Sequence, residues 1–128
     1  ALEEVLRQFG ESGATPPTNK ELAESTGRKL AEIDQLLNLS VEDGLIVRVA
    51  DGLFFTPRTL DNLRVKCRET IDEVGPATMA QLRDAWGVTR KFAVPLCEYF
   101  DSLKVTKRDG DNRVAGEAID VPLAVAGQ

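Results

Sequence analysis

The stretch from Thr78 to Arg113, TMAQLRDAWGVTRKFAVPLCEYFDSLKVTKRDGDNR, contains the signals that decide the fold of this chain. Thr78 and Gln81 have the spacing of a capping box, in which each side chain bonds the backbone at a helix start. Gly87 then ends this short helix, and a second helix is predicted from near Thr89. Residues at helical spacing give the second helix one apolar face, formed by Phe92, Leu96, Tyr99, Phe100 and Leu103.

The residues after this helix predict a small antiparallel ribbon. A strand is predicted over Lys104–Arg108, followed by a hairpin turn at Asp109–Asn112 and a return strand. Helix, tight turn, helix and basic hairpin follow one another in the order found in a winged helix. We therefore predict a winged helix for this half of the chain.

The first half repeats the same pattern. A second capping box, Thr18 and Glu21, and a second helix-ending glycine, Gly27, lie 60 positions before their counterparts. Leu45 and the Asp-Gly turn at 51–52 likewise lie 58 positions before their counterparts, Leu103 and the Asp-Gly turn at 109–110. The chain is thus predicted to be mostly α with small β-ribbons. We expect two tandem winged-helix domains, over 1–57 and 58–116, and a loosely ordered tail over 117–128.

Composition excludes several classes of function. The chain contains no His, so a Cys/His zinc site and His-based catalysis are not expected. It has no phosphate-binding loop of the GxxxxGK[ST] type and no apolar stretch of about 18 residues that could span a membrane. Cys67 and Cys97 are expected to be buried thiols in a reducing cytosol. We therefore predict a non-enzymatic, cytoplasmic chain without a cofactor or a metal.

Charge is distributed unevenly along the chain. The net charge is −5, and residues 1–57 carry ten acidic and five basic side chains. Residues 89–113 carry six basic and four acidic side chains, so the predicted second helix and ribbon form a local basic focus. A local basic patch can bind phosphates even on an acidic chain.

The candidate nucleic-acid contacts fall on three elements. Thr89, Arg90 and Lys91 lie where the helix dipole favours phosphate, although they could equally be a solvated helix start. The ribbon carries Lys104, Lys107, Arg108 and Arg113, which could instead protect a strand edge from aggregation. Arg83 on the short helix could reach a phosphate or pair with Asp84 or Glu98. Trp86 is expected to pack over the helix turn, with stacking on a splayed base as the alternative.

Residues 77–114 resemble the last winged helix of bacterial selenocysteine-specific elongation factors. The family pattern is matched by RD at 83–84, G at 87, TRKF at 89–92, PL at 95–96, EYFD at 98–101, TKR at 106–108, GD at 110–111 and R at 113. The first half resembles the preceding winged helix of that family more weakly, by architecture and position.

This resemblance implies a role in translation. Such factors are cytoplasmic GTPases that carry selenocysteinyl-tRNA to a recoded UGA codon, and their carboxy-terminal winged helices bind an mRNA stem-loop. It implies that this chain is a monomeric RNA-binding part, with Arg90, Lys91, Lys107, Arg108 and Arg113 as RNA contacts. The acidic first domain would be a spacer, and the ribosome and tRNA would be partners of the absent amino-terminal part.

Two other functions are compatible with a winged helix. The commonest is a DNA-binding transcription regulator, which usually dimerises and often has a more basic surface. The other is a protein-interaction module in which the acidic first domain is the working face. Binding to an RNA hairpin, to duplex DNA or to neither would distinguish the three.

Overall fold

The structure, a computed structural model, describes residues 2–123, and these form two compact units. Unit 1 ends at Thr59, and unit 2 spans Leu60–Leu123. The first helices and strands are α1 Leu2–Ser12, α2 Asn19–Thr26, α3 Leu30–Glu42, β1 Val47–Ala50 and β2 Leu53–Phe55. They are followed by α4 Pro57–Val74, β3 Ala77–Thr78, α5 Met79–Trp86, α6 Arg90–Ser102, β4 Thr106–Asp109 and β5 Asn112–Ala115.

Both predicted capping boxes are present. In unit 1 the Thr18 side chain accepts from the Glu21 amide, and the Glu21 side chain accepts from the Thr18 amide. In unit 2 Thr78 and Gln81 make the same pair of bonds. Because these bonds satisfy amides that the helix itself leaves unpaired, they determine where α2 and α5 begin.

Unit 1 is organised around one apolar cluster. Its three helices and its ribbon each contribute to it: Val5, Phe9, Leu22, Ile33, Leu37, Ile46 and Phe54. The first helix includes Gly10 and continues to Ser12, because a glycine weakens a helix without necessarily ending it. Leu30 is exposed in the first turn of α3, outside this cluster.

In unit 2 the buried face of α6 differs from the predicted one. Leu96 and Phe100 are fully buried as expected, whereas Leu103 is 37% exposed. Ala93 and Cys97 complete the buried face. At 3.6 residues per turn, either the row with Ala93 and Cys97 or the row with Leu103 can join Leu96 and Phe100 on the buried face. Sequence spacing alone does not choose between these two rows.

The sheet of unit 2 has a strand that was not predicted. Its order is β3-β5-β4, with all pairs antiparallel, whereas unit 1 has only the β1-β2 ribbon within the described residues. Ala77 pairs with Arg113 in this added ladder. The position 60 residues earlier is Pro17, which has no amide to donate, so the equivalent strand is disfavoured in unit 1.

The third helix of unit 1 and that of unit 2 begin and end at positions that are 60 residues apart. Gly44 follows α3 and Lys104 follows α6, and their amides donate to Val41 and Asp101 respectively. Leu45 therefore corresponds to Val105, and the predicted match with Leu103 is wrong. The spacing falls to 58 only within the ribbon, where unit 1 has an irregular register between Arg48 and Ala50.

Residues 117–123, expected to be loosely ordered, are held against α4. Arg64 donates to the carbonyl oxygen of Ile119 at 2.8 Å, and the Leu123 amide donates to Asp61 at 2.8 Å. Burial opposes ionisation of Asp61, but hydrogen bonds from Arg64 and Leu123 more than offset it and lower the pKa of this carboxyl. The remainder of the predicted tail, 124–128, lies outside the described residues.

Cys67 and Cys97 are free thiols buried in unit 2, as predicted. Burial raises the pKa of Cys67 to about 12 and that of Cys97 to about 11, so both remain protonated at neutral pH. Within residues 2–123 no helix combines the length and apolar character required to cross a membrane.

Two glycine substitutions should have opposite effects on stability. A Cβ at Gly116 would lie 2.2 Å from the Lys104 carbonyl oxygen, so Gly116→Ala should lower the free energy of unfolding by about 2–3 kcal/mol. Gly10 is helical with open space around it, so Gly10→Ala should raise that free energy by about 0.4–1 kcal/mol. Urea unfolding of both variants tests this, and a neutral Gly116→Ala would contradict the close approach.

Candidate nucleic-acid interface

The amino end of α6 presents exposed cations beside backbone amides that can donate hydrogen bonds to an anion. Arg90 and Lys91 are exposed in its first turn. Thr89 is the capping residue, but within the described residues its side chain makes no capping hydrogen bond. The first amides of the helix are therefore left for an external acceptor, and the helix dipole adds to the attraction for phosphate.

Lys91 is oriented by its neighbour. Its ammonium lies 5.5 Å from the centre of the Phe92 ring, a cation–π distance. Neither Arg90 nor Lys91 forms an ion pair in the part of the chain that the structure describes. Both charges are thus available to a ligand without displacing a carboxylate.

A second group of exposed cations lies beyond the carboxyl end of α6. Lys104 precedes β4, and Lys107 and Arg108 lie on that strand. Arg108 donates to the carbonyl oxygen of Gly110 in its own hairpin turn, at 3.1 Å. Because α6 has 13 residues, the two groups of cations are separated by about 20 Å along its axis.

Arg113 does not belong to either exposed group. Only 5% of its side chain is exposed, and its guanidinium donates to Asp101 at 2.8 and 3.2 Å. Thr106 also donates to Asp101, at 2.6 Å. The bonds to Asp101 raise the pKa of Arg113 and keep it charged. The expected direct RNA contact at Arg113 is therefore not supported, because its donors are directed into the unit and hold the ribbon against α6.

Two further candidates on α5 also have partners within the protein. Arg83 is half-exposed and pairs with Asp84 at 3.2 Å, which was one of its two predicted roles. Trp86 is buried, donates to the Leu63 carbonyl at 3.0 Å and packs on Phe100. Stacking of Trp86 on a splayed base is therefore incompatible with its position.

The equivalent residues of unit 1 are in more acidic surroundings. Arg28 pairs with Glu32 at 3.4 Å, while Lys29 caps α3 without a side-chain bond to it. Arg48 on the ribbon donates to Asn38 and lies over the Phe54 ring. Among the described residues, no group of His, Cys, Asp and Glu has an arrangement that could hold a metal ion.

Residues 69–115 match the sequence model of the family described as "Elongation factor SelB, winged helix". The chain is 33% identical over 108 residues to the selenocysteine-specific elongation factor of Desulfomicrobium baculatum and 26% identical over 110 residues to that of Escherichia coli K12. These alignments cover 82% and 86% of this chain but 17% and 18% of the two factors.

The fold is similar to that of two solved structures. The mRNA-binding domain of E. coli SelB, solved with SECIS RNA, matches with a TM-score of 0.78 at 23% identity, over 91% of this chain and 97% of that one. A bacterial elongation factor, EF-Sec, matches with a TM-score of 0.62 at 22% identity, over 89% of this chain and 19% of that one. Together these matches confirm that the chain resembles the winged-helix region of the SelB family.

The family model and the solved relative also confirm the winged-helix fold expected from the sequence. The family model covers all of the predicted contacts from Arg83 to Arg113. The sequence pattern did not lead us to predict the hydrogen-bonded network of Asp101, Thr106 and Arg113. The alternation of the two ribbon strands could have indicated it, because Thr106 and Arg113 occupy inward-facing positions beside exposed polar residues.

Removal of the buried cation tests this network. Arg113→Leu should lower the free energy of unfolding by about 2–4 kcal/mol, because it leaves the Asp101 carboxylate without its charged partner. Asp109→Ala, which removes an exposed carboxylate from the same ribbon, should change that free energy by under about 0.5 kcal/mol. Urea unfolding measures both. Equal effects would mean that the ion pair does not stabilise the unit.

Proposed function

We propose that unit 2 binds an mRNA stem-loop as part of a selenocysteine-specific elongation factor. The observation that carries this proposal is the exposed pair Arg90 and Lys91 at the amino end of α6, which has no carboxylate partner among the described residues and lies in the region that matches the SelB winged-helix model. A solved relative with the same fold is described as an mRNA-binding domain in complex with SECIS RNA. The function is binding without chemistry, since the matched region is a winged helix.

Arg90 and Lys91 have different parts in this proposal. The planar guanidinium of Arg90 can donate two parallel hydrogen bonds to a phosphate or to a guanine edge. Lys91 acts as a point charge that is held over Phe92. The first amides of α6 donate hydrogen bonds to the phosphate oxygens. Thr89, Lys107 and Arg108 remain candidate RNA contacts on exposed positions, and Arg83 would first have to release Asp84.

The remainder of the assignment follows from the family. The chain spans less than a fifth of the length of the two curated relatives that it matches. The GTPase activity, the ribosome and selenocysteinyl-tRNA would belong to other parts of a full-length factor acting in the cytoplasm. The acidic unit 1 would be a spacer that repels RNA and leaves recognition to unit 2, and the chain would act as a monomer without a cofactor.

Recognition should depend on an RNA loop. A pool of RNA hairpins with one constant stem and a randomised loop would be selected on the chain to give a bound hairpin, called here the selected hairpin. The chain should bind this hairpin at least about tenfold more tightly than the same stem closed as an uninterrupted duplex, since A-form RNA hides base edges in a narrow groove. Filter binding against both RNAs and a DNA duplex of the same sequence measures the preference. Failure to enrich any hairpin, or tighter binding to the DNA duplex, would refute the proposed function.

The two units should contribute unequally to binding. Arg90→Ala with Lys91→Ala should weaken binding of the selected hairpin by about 2–4 kcal/mol and lower the salt slope by about 1–2 units. The matched pair in unit 1, Arg28→Ala with Lys29→Ala, should change the binding free energy by under about 0.5 kcal/mol.

Salt titrations of both double variants provide the measurement. Both should retain the wild-type melting temperature, since these side chains are exposed. A larger loss of binding affinity in the Arg28 and Lys29 double variant would show that unit 1 makes the main RNA contacts.

A further inference from the structure

The carboxyl end of α6 borders a cleft that the proposed contacts at Arg90 and Lys91 do not use. It has a volume of about 500 Å³, and its charged lining comprises Asp101, Lys104, Lys107, Arg108 and Glu117. Asp101 is already engaged by the buried guanidinium of unit 2 and by the Thr106 hydroxyl. The three cations therefore face a single carboxylate that has no such partner.

Lys104 is held in a backbone conformation that lysine rarely adopts. Its φ angle is +63°, and it is the only non-glycine residue with a positive φ among residues 2–123. The matching position in unit 1 is Gly44, whose φ is +74°, and both amides bond the preceding helix in the same way. Glycine is the residue that this turn ordinarily selects, because it has no Cβ to clash in the left-handed region. Unit 2 thus has a lysine at a turn position where glycine would be less strained.

The backbone around Lys104 fixes that placement. The Ala118 amide donates to its carbonyl oxygen at 2.8 Å, and the Gly116 amide donates to Val105 at 2.9 Å. The absence of a side chain at Gly116 allows this approach, since a Cβ there would overlap the Lys104 carbonyl. Strained backbone that its surroundings hold in place is typical of sites where a side chain must be aimed at a ligand.

We propose that this cleft is a second phosphate-binding site for the same RNA, with Lys104 as its principal ligand. The proposal rests on the proposed function and adds a second point of contact to it. The cleft and the Arg90–Lys91 pair lie at opposite ends of α6, about 20 Å apart, so one phosphate cannot reach both. A polyanion that passes along the helix can reach both, which favours a nucleic-acid strand over a short acidic peptide.

Lys104→Gly separates binding from stability. Glycine removes the charge and relieves the strained backbone, so the melting temperature should equal or exceed that of the wild type. Binding of the selected hairpin should weaken about five- to tenfold, and the salt slope should fall by about 0.7–0.9, as for the loss of one phosphate contact. Lys66→Ala, which removes an exposed cation from α4, should change neither the affinity nor the salt slope beyond error.

Lys104→Asn serves as a second variant. Asparagine tolerates the left-handed conformation and has no charge, so it should weaken binding as much as glycine does. If only the glycine variant binds weakly, chain flexibility rather than the ammonium is responsible, and the proposal is wrong. If both variants bind like the wild type while the Arg90 and Lys91 double variant does not, the cleft is not an RNA site and the proposed function stands.

Uncharged analogues of single RNA phosphates can locate the phosphate that contacts Lys104. Methylphosphonate groups placed one at a time along the selected hairpin should include one that weakens the wild type but not Lys104→Gly. A methylphosphonate at a different position should weaken binding by the wild type but not by the Arg90 and Lys91 double variant. The same position for both variants would overturn a separate second site. A wild-type chain that binds no hairpin would remove the proposed function and this inference together.

Discussion

The ion pair between Arg113 and Asp101 connects the elements that bear the cations of unit 2. Asp101 lies in the last turn of α6, and Arg113 lies on the central strand of the three-stranded sheet. A guanidinium that is 5% exposed must have a fixed counter-charge, because an unpaired buried cation is strongly destabilising. The pair therefore holds the ribbon against the carboxyl end of α6 and determines where Lys104 and Lys107 lie relative to the helix.

Local signals in the sequence were sufficient for much of the fold. The two capping boxes and the glycines after α2 and α5 predicted helix boundaries, because these residues act through the backbone next to them. The short strand β3 could not be predicted in this way, since its ladder depends on Arg113, a partner 36 residues distant from Ala77. Leu103 was misplaced because two adjacent rows of α6 satisfy the same periodicity.

The sequence could predict those candidate site residues whose role does not depend on a partner from another helix or strand. Arg90, Lys91, Lys107 and Arg108 are exposed on the helix and the ribbon, where the sequence pattern placed them. Lys104 is also exposed, but it was predicted on the first strand of the ribbon and lies in the turn before it. Arg113 matches the family motif as well as they do, but its role depends on a carboxylate from another element. A motif shows which residue type is present at a position, whereas burial decides whether that residue faces a ligand or the protein. The same limit applies to Trp86, whose indole is occupied by the Leu63 carbonyl.

The position of Trp86 also gives the molecule a built-in optical probe. It is the single tryptophan of the chain, it lies in unit 2, and it packs against Phe100 with its indole hydrogen-bonded. Its emission therefore reports the packing of that unit alone, while far-ultraviolet circular dichroism reports the helices of both. A difference between the two signals during unfolding would reveal whether the duplicated units lose their structure in one cooperative step or separately.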